Sequence, residues 1–95
     1  MTASPPGRFR PSPDALATRV GDEIVLVHTG TDQIYVLNRT GARLWELLCA
    51  DRDRGEIERR LLDEFEVAPA ELASEVEALI ASLLDGELIT AIGDD

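Results

Sequence analysis

Residues 33–48, Gln-Ile-Tyr-Val-Leu-Asn-Arg-Thr-Gly-Ala-Arg-Leu-Trp-Glu-Leu-Leu, set a short apolar strand directly before an amphipathic helix with one capping residue between them. Gln33–Leu37 is rich in β-branched and aromatic side chains, which suit a pleated surface, and Asn38 offers a side-chain oxygen to the first free helix amides. The strand therefore ends where a helix begins. Within that helix Gly41, Leu44, Trp45 and Leu48 fall at i, i+3, i+4 and i+7, so one face is available for burial and Trp45 is expected to anchor the core.

Turn chemistry places the elements on either side. Residues 16–20 read as a strand, Gly21-Asp22 as a tight turn and Glu23–His28 as a second strand, an antiparallel hairpin. Thr29-Gly30-Thr31-Asp32 then turns the chain into Gln33–Leu37, so three strands form a meander. A second helix is expected over residues 54–65, with Asp53 as N-cap, Glu56 three positions on as in a capping box, and Ile57, Leu61, Leu62 and Phe65 as its apolar face. Pro69 suits the first position of a third helix over residues 70–84, with Leu72, Val76, Leu79, Ile80 and Leu83 recurring at helical spacing. Gly86 is expected to stop it, and Leu88 and Ile89 to fold back on the core.

With 95 residues the chain makes one small domain, near the lower size at which a single core suffices. Residues 1–14 carry Pro5, Pro6, Pro11 and Pro13 without periodicity and read as a flexible lead-in, residues 15–90 as the folded domain and residues 91–95 as a fraying end. The lead-in lacks the apolar stretch of a secretory signal, and no run approaches the length of a membrane span, so a soluble, cytoplasmic protein without membrane attachment is expected. The single cysteine, Cys49, and single histidine, His28, provide no disulfide and no Cys/His metal site. Cys49 is expected as a small buried side chain and His28 in a plain strand-end role.

The net charge of −10 arises in the second half, where fourteen acidic side chains face four arginines; residues 1–50 hold five of each sign. Three strands followed by three helices give a winged helix-turn-helix-like α+β domain. A recognition helix bearing Glu71, Glu75 and Glu77 would meet phosphates with carboxylates, which disfavours nucleic acid as a partner. The same charge is equally consistent with simple solubility and with attraction of a basic partner. No phosphate loop, catalytic triad or carboxylate cluster stands apart from ordinary helix surface charge, so neither catalysis nor a cofactor is expected.

The run Tyr35-Val36-Leu37-Asn38-Arg39-Thr40-Gly41-Ala42-Arg43-Leu44-Trp45-Glu46-Leu47-Leu48, a helix ending at Phe65-Glu66-Val67 and a last helix closing with Leu-Leu-Asp-Gly-Glu-Leu-Ile resemble the PqqD-like family. The most specific part is the Leu-Asn-x-Thr-Gly-Ala-x-x-Trp core. The resemblance implies a recognition element for ribosomally made, modified peptides, which binds the leader of a precursor and delivers it to a modifying enzyme of protease, cyclase or radical SAM type. It also implies that the leader adds as a further antiparallel strand beside Gln33–Leu37, in the groove made with the third helix. Where many members have a small Asp-Gly turn after the first helix, this chain has Cys49-Ala50-Asp51-Arg52-Asp53. The absence of a basic or tryptophan-terminated ending points away from the pyrroloquinoline quinone pathway itself and toward another peptide pathway, of which lasso peptide assembly is the first expectation.

A strand at a sheet edge presents free N–H and C=O groups to an extended peptide. Candidate peptide-binding residues are Gln33, Ile34, Tyr35, Val36 and Leu37 on the strand, with Val76, Leu79, Ile80 and Leu83 as an apolar wall and Glu75, with Asp85, facing a basic leader residue. Ile34 and Val36 alternate against Tyr35 and Leu37, and the alternation leaves open which pair lines the groove. A winged-helix transcriptional regulator and an acidic scaffold domain are the rival readings.

Overall fold

The computed structural model describes residues 8–92. Five strands and three helices follow in the order β1 (Phe9–Pro11), β2 (Ala15–Val20), β3 (Glu23–His28), β4 (Gln33–Leu37), α1 (Arg39–Cys49), α2 (Arg54–Glu64), α3 (Pro69–Asp85) and β5 (Ile89–Ala91). β2, β3 and β4 form the antiparallel meander, in that spatial order, and β1 pairs with β5 in a separate two-stranded sheet. The architecture is the mixed α+β arrangement of a three-stranded sheet followed by three helices.

The turns hold the meander in register. Gly21 takes φ +63 at the first position of a two-residue hairpin, the pattern that matches strand twist and favours glycine. Val20 thereby pairs with Glu23 and Leu16 with Val27. His28, buried at the end of β3, accepts the Gly30 and Thr31 amides at Nδ1, 3.0 and 3.2 Å away. It is a strand-end residue that ties the next turn.

Helix ends account for the loops. Asn38 Oδ1 accepts the Gly41 amide at 2.9 Å and Asp53 Oδ1 accepts the Glu56 amide at 2.8 Å, each supplying a partner for an otherwise free first-turn donor. After α1 the Asp51 amide bonds the Leu48 carbonyl and the Arg52 amide bonds that of Leu47, with Asp51 at φ 65. This Schellman closure occupies the loop where the Asp-Gly turn is absent. The same closure ends α3, with Glu87 and not Gly86 in the left-handed position. Gly86 answers a different demand, because a Cβ there would collide with the ring and hydroxyl of Tyr35.

One core joins these parts. Ile24, Leu26 and Leu37 from the sheet meet Leu44, Trp45 and Leu48 of α1, Ile57 and Leu61 of α2, and Leu72, Val76, Ile80 and Leu83 of α3. Trp45 is 5% exposed and Leu88 and Ile89 are buried, as the sequence pattern implied.

Four features differ from the sequence reading. Phe9–Pro11 form a strand inside the segment expected to be flexible, because Phe9 packs into the core and β5 supplies its partner; residues 1–7 and 93–95 lie outside the described residues. Cys49 is exposed, since it falls off the stripe defined by Leu44 and Leu48. Leu62 is 38% exposed, so α2 buries chiefly Ile57 and Leu61. Phe65 ends α2 in extended backbone and lies beneath the Arg39 guanidinium, 4.9 Å from its ring centre.

Candidate functional site

β4 pairs with β3 on one side only, and its other edge has no strand partner among the described residues. Which of its backbone groups are free follows from the ladder. The Thr29 amide bonds the Asp14 carbonyl at 2.9 Å, so even-numbered β2 residues exchange hydrogen bonds with odd-numbered β3 residues, given the register. Even-numbered β3 residues then bond β4, through Leu26 with Tyr35 and Ile24 with Leu37. The N–H and C=O groups of Ile34 and Val36 are left pointing at the open edge.

The side chains divide by the same alternation. Leu37 is buried and Tyr35 half-buried on the core side, whereas Ile34 and Val36 project from the opposite face, 65% and 62% exposed. Tyr35 lies over Gly86 at the end of α3, and its hydroxyl donates to Gln33 Oε1 at 3.0 Å.

Beside the open edge runs a cleft of about 390 Å³ between the end of β4, the start of α1 and one side of α3. Its lining includes Val36, Leu37, Gly41, Glu75, Val76 and Leu79. Gly41 lets the walls meet: a Cβ there would stand 3.3 Å from Leu79 Cδ2, Leu37 Cβ and Asn38 Oδ1 alike. Thr40 and Ser82 add hydroxyls, and Glu75 stands exposed at the rim, in no ion pair among the described residues. A second cleft, lined by Thr40, Phe65, Glu66 and Glu75 among others, continues past the end of β4.

The structure therefore brings Val36, Leu37, Glu75, Val76 and Leu79 together, with Ile34 supplying edge backbone and Gln33 and Tyr35 closing the α3 end. It does not bring Ile80 and Leu83 to the cleft: both face the core, on a stripe of which Val76 alone also borders the cleft. The cause is helical geometry. Residues 72, 76, 80 and 83 share the core stripe, while Glu75, Ala78, Leu79 and Ser82, at i, i+3, i+4 and i+7, share the stripe facing the cleft. Asn38, Thr40, Gly41, Leu44, Ala78 and Ser82 were not anticipated as lining. The cleft stripe is small and polar apart from Leu79, which left no apolar signal to find; helical spacing from Glu75 was the only clue.

On the far side of the domain an ion network links β2 to both first helices. Arg19 pairs with Glu46, Arg43 bonds Glu46 at 3.1 Å, and its guanidinium forks onto Glu64 at 2.8 and 3.0 Å. The Arg43 hydrogen bonds hold the Glu64 carboxyl below its ordinary value and raise Arg43 in turn. The Cys49 thiol is pushed up by partial desolvation, which opposes thiolate chemistry. Among the described residues no group of metal-binding side chains is assembled, and no helix is long and apolar enough to cross a membrane.

An edge strand with a helix wall and a cleft between them defines a class of small domains built to hold an extended chain. Residues 23–89 match the sequence model of the family described as coenzyme PQQ synthesis protein D (PqqD), and the chain belongs to that family. Among solved structures, TbiB1 in complex with the TbiA(beta) leader peptide is 25% identical with a TM-score of 0.80, covering 90% of this chain and 99% of its own. A lasso peptide synthetase B1 complexed with its leader peptide is 22% identical with a TM-score of 0.78, covering 87% and 98%. No curated protein matches the chain.

Proposed function

We propose that this domain binds the leader of a ribosomally synthesised precursor peptide as a further antiparallel strand on β4 and presents it to a peptide-modifying enzyme. The observation that carries the reading is the β4 edge, unpaired among the described residues, with the cleft alongside, in a chain that resembles TbiB1, whose structure holds a leader peptide.

The chemistry follows from the alternation. The leader backbone exchanges hydrogen bonds with Ile34 and Val36, giving affinity independent of sequence. Leader side chains opposite Tyr35 and Leu37 turn toward the cleft, where Leu79, Val76 and Leu37 take an apolar group and Glu75 favours a nearby basic one. Because the added strand runs against β4, its N-terminal part lies near Leu37 and its downstream part leaves past Gln33. That sends the segment to be modified away from the cleft, toward an enzyme held outside it.

The domain acts as a cytoplasmic binding module and carries no catalysis of its own. The pathway is lasso peptide assembly or a close relative, with a protease, cyclase or radical SAM enzyme as recipient. Calorimetry with a synthetic leader tests the reading: micromolar or tighter binding is expected, with no comparable affinity for duplex DNA in a salt-dependent shift assay. Sequence-selective DNA binding without peptide affinity contradicts it.

A further inference from the structure

The outer face of the sheet, opposite the helices, is apolar and uncovered by any described element. Cross-strand register sets Leu16 beside Val27 and Ile34, and Thr18 beside Val25 and Val36. Neither row contains a charge, in a chain that is 29% charged; the third row sets Val20 beside exposed Glu23, the one carboxylate the three strands place on this face. Leu16, Val20, Ile34 and Val36 are 57, 56, 65 and 62% exposed. Together they expose roughly 400 Å² of surface, a size at which a patch on a monomer is often functional, yet only about half of the ~800 Å² per partner in a standard protein interface.

That shortfall separates the candidate occupants. A second copy offering the same face brings no further area. A leader strand on β4 does: it lies ~4.8 Å beyond β4 and widens the three-stranded face by about a third, to ~530 Å² per partner and so past the ~1,000 Å² in all that a transient interface needs, where two empty copies bury only ~800 Å² in all. Its residues opposite Ile34 and Val36 turn to this outer face, while those opposite Tyr35 and Leu37 turn to the cleft.

We infer that the outer sheet face, completed by the outward side chains of the bound leader, is the docking surface for a flat apolar patch on the modifying enzyme. The inference rests on the leader reading above and deepens it. The leader strand has two readers: this domain takes one set of alternate side chains and the enzyme takes the other. The enzyme thereby engages the loaded domain in preference to the empty one, because only the loaded face is continuous across four strands.

Leu16→Lys and Val20→Lys, made singly and together, test this on β2, the strand farthest from the leader edge. The probes are a synthetic leader, the full precursor and the purified enzyme that processes that precursor, with thermal melts confirming the fold. Expected are leader affinity within twofold of wild type and a fall of tenfold or more in processing rate, reproduced when the leader residues opposite Ile34 and Val36 are changed to lysine. Unchanged processing with leader affinity intact overturns the docking face alone. Leader binding absent in the wild type overturns the reading of the β4 edge, and this inference with it. A dimer of the free domain in sedimentation that the lysines dissociate assigns the face to a second copy and also overturns it.

Discussion

The two edges of the sheet look alike in composition and differ in what surrounds them. β2 and β4 each lack an outer strand partner among the described residues, and each shows two large aliphatic side chains on the outer face. Beside β4 stand the start of α1 and the cleft stripe of α3, with Gly41 allowing Leu37 and Leu79 to approach. Beside β2, among the described residues, stands the ion network of Arg19, Glu46, Arg43 and Glu64, with no comparable cleft. A free backbone ladder is common to both edges, so the ladder alone does not make a site. In the proposed reading the wall does, because it would convert alternate side chains of an added strand into contacts that distinguish one peptide from another.

Both edges hang from the core around Trp45, and its loss is the largest expected effect. Trp45→Ala should cost about 3–5 kcal/mol, a large share of a small domain's stability, and should remove leader binding only by unfolding. Urea unfolding followed by leader titration at the remaining folded fraction checks this; an unchanged midpoint would place the ring outside the core.

Proline distinguishes the edges directly. Val36→Pro removes an outward donor and should lower leader affinity at least 100-fold, ~2.7 kcal/mol, with the melt little changed. Tyr35→Pro removes a donor to β3 and should unfold the protein. Ala17→Pro, which strikes an outward N–H of β2, should leave leader affinity intact. Titrations beside melts decide, and equal affinity losses for Ala17→Pro and Val36→Pro would mean that the edges are equivalent.

The wall itself is probed by neighbours on α3. Ile80→Ala should cost about 2–5 kcal/mol of stability as a core deletion. Leu79→Ala should instead weaken the leader about tenfold, ~1.4 kcal/mol, with a smaller loss of stability. If Leu79→Ala changes only the melt, Leu79 is core and the cleft has no specificity.

How much of this was readable beforehand depended on how local each signal was. β3, β4 and the three helices were legible because Gly21-Asp22, Asn38, Asp53 and Pro69 are short-range devices acting on their own neighbours. β1 and β5 were not, since Phe9–Pro11 becomes a strand only through Ile89–Ala91, about eighty residues away. The open edge was legible from strand order, whereas the wall was half-legible. Apolar periodicity names the stripe that buries most surface, which put Ile80 and Leu83 in the site, while Ala78 and Ser82 carry no such signal. Gly86 read as a helix stop, yet its reason is the Tyr35 ring, a contact across the fold.

The smallest effect belongs to the β2 side. The folded-state carboxyl of Glu64 lies below its ordinary value through Arg43, so its contribution is present above the unfolded-state value and is lost as pH falls through the depressed folded-state value. Both side chains are over a third exposed, so Glu64→Gln should cost no more than ~1 kcal/mol at neutral pH and less in acid, leaving leader affinity unchanged. Urea midpoints of both proteins across the acid range provide the check.

Residue-resolved amide exchange with and without leader tests the central claim most directly. The Tyr35 and Leu37 amides are bonded within the sheet and should exchange slowly in both states, whereas the outward Ala17 and Arg19 amides should exchange fast in both. On leader binding, the Ile34 and Val36 amides alone among these should slow by tenfold or more. Leader binding that leaves Ile34 and Val36 unprotected, or that protects Ala17 and Arg19 instead, would contradict strand addition at β4.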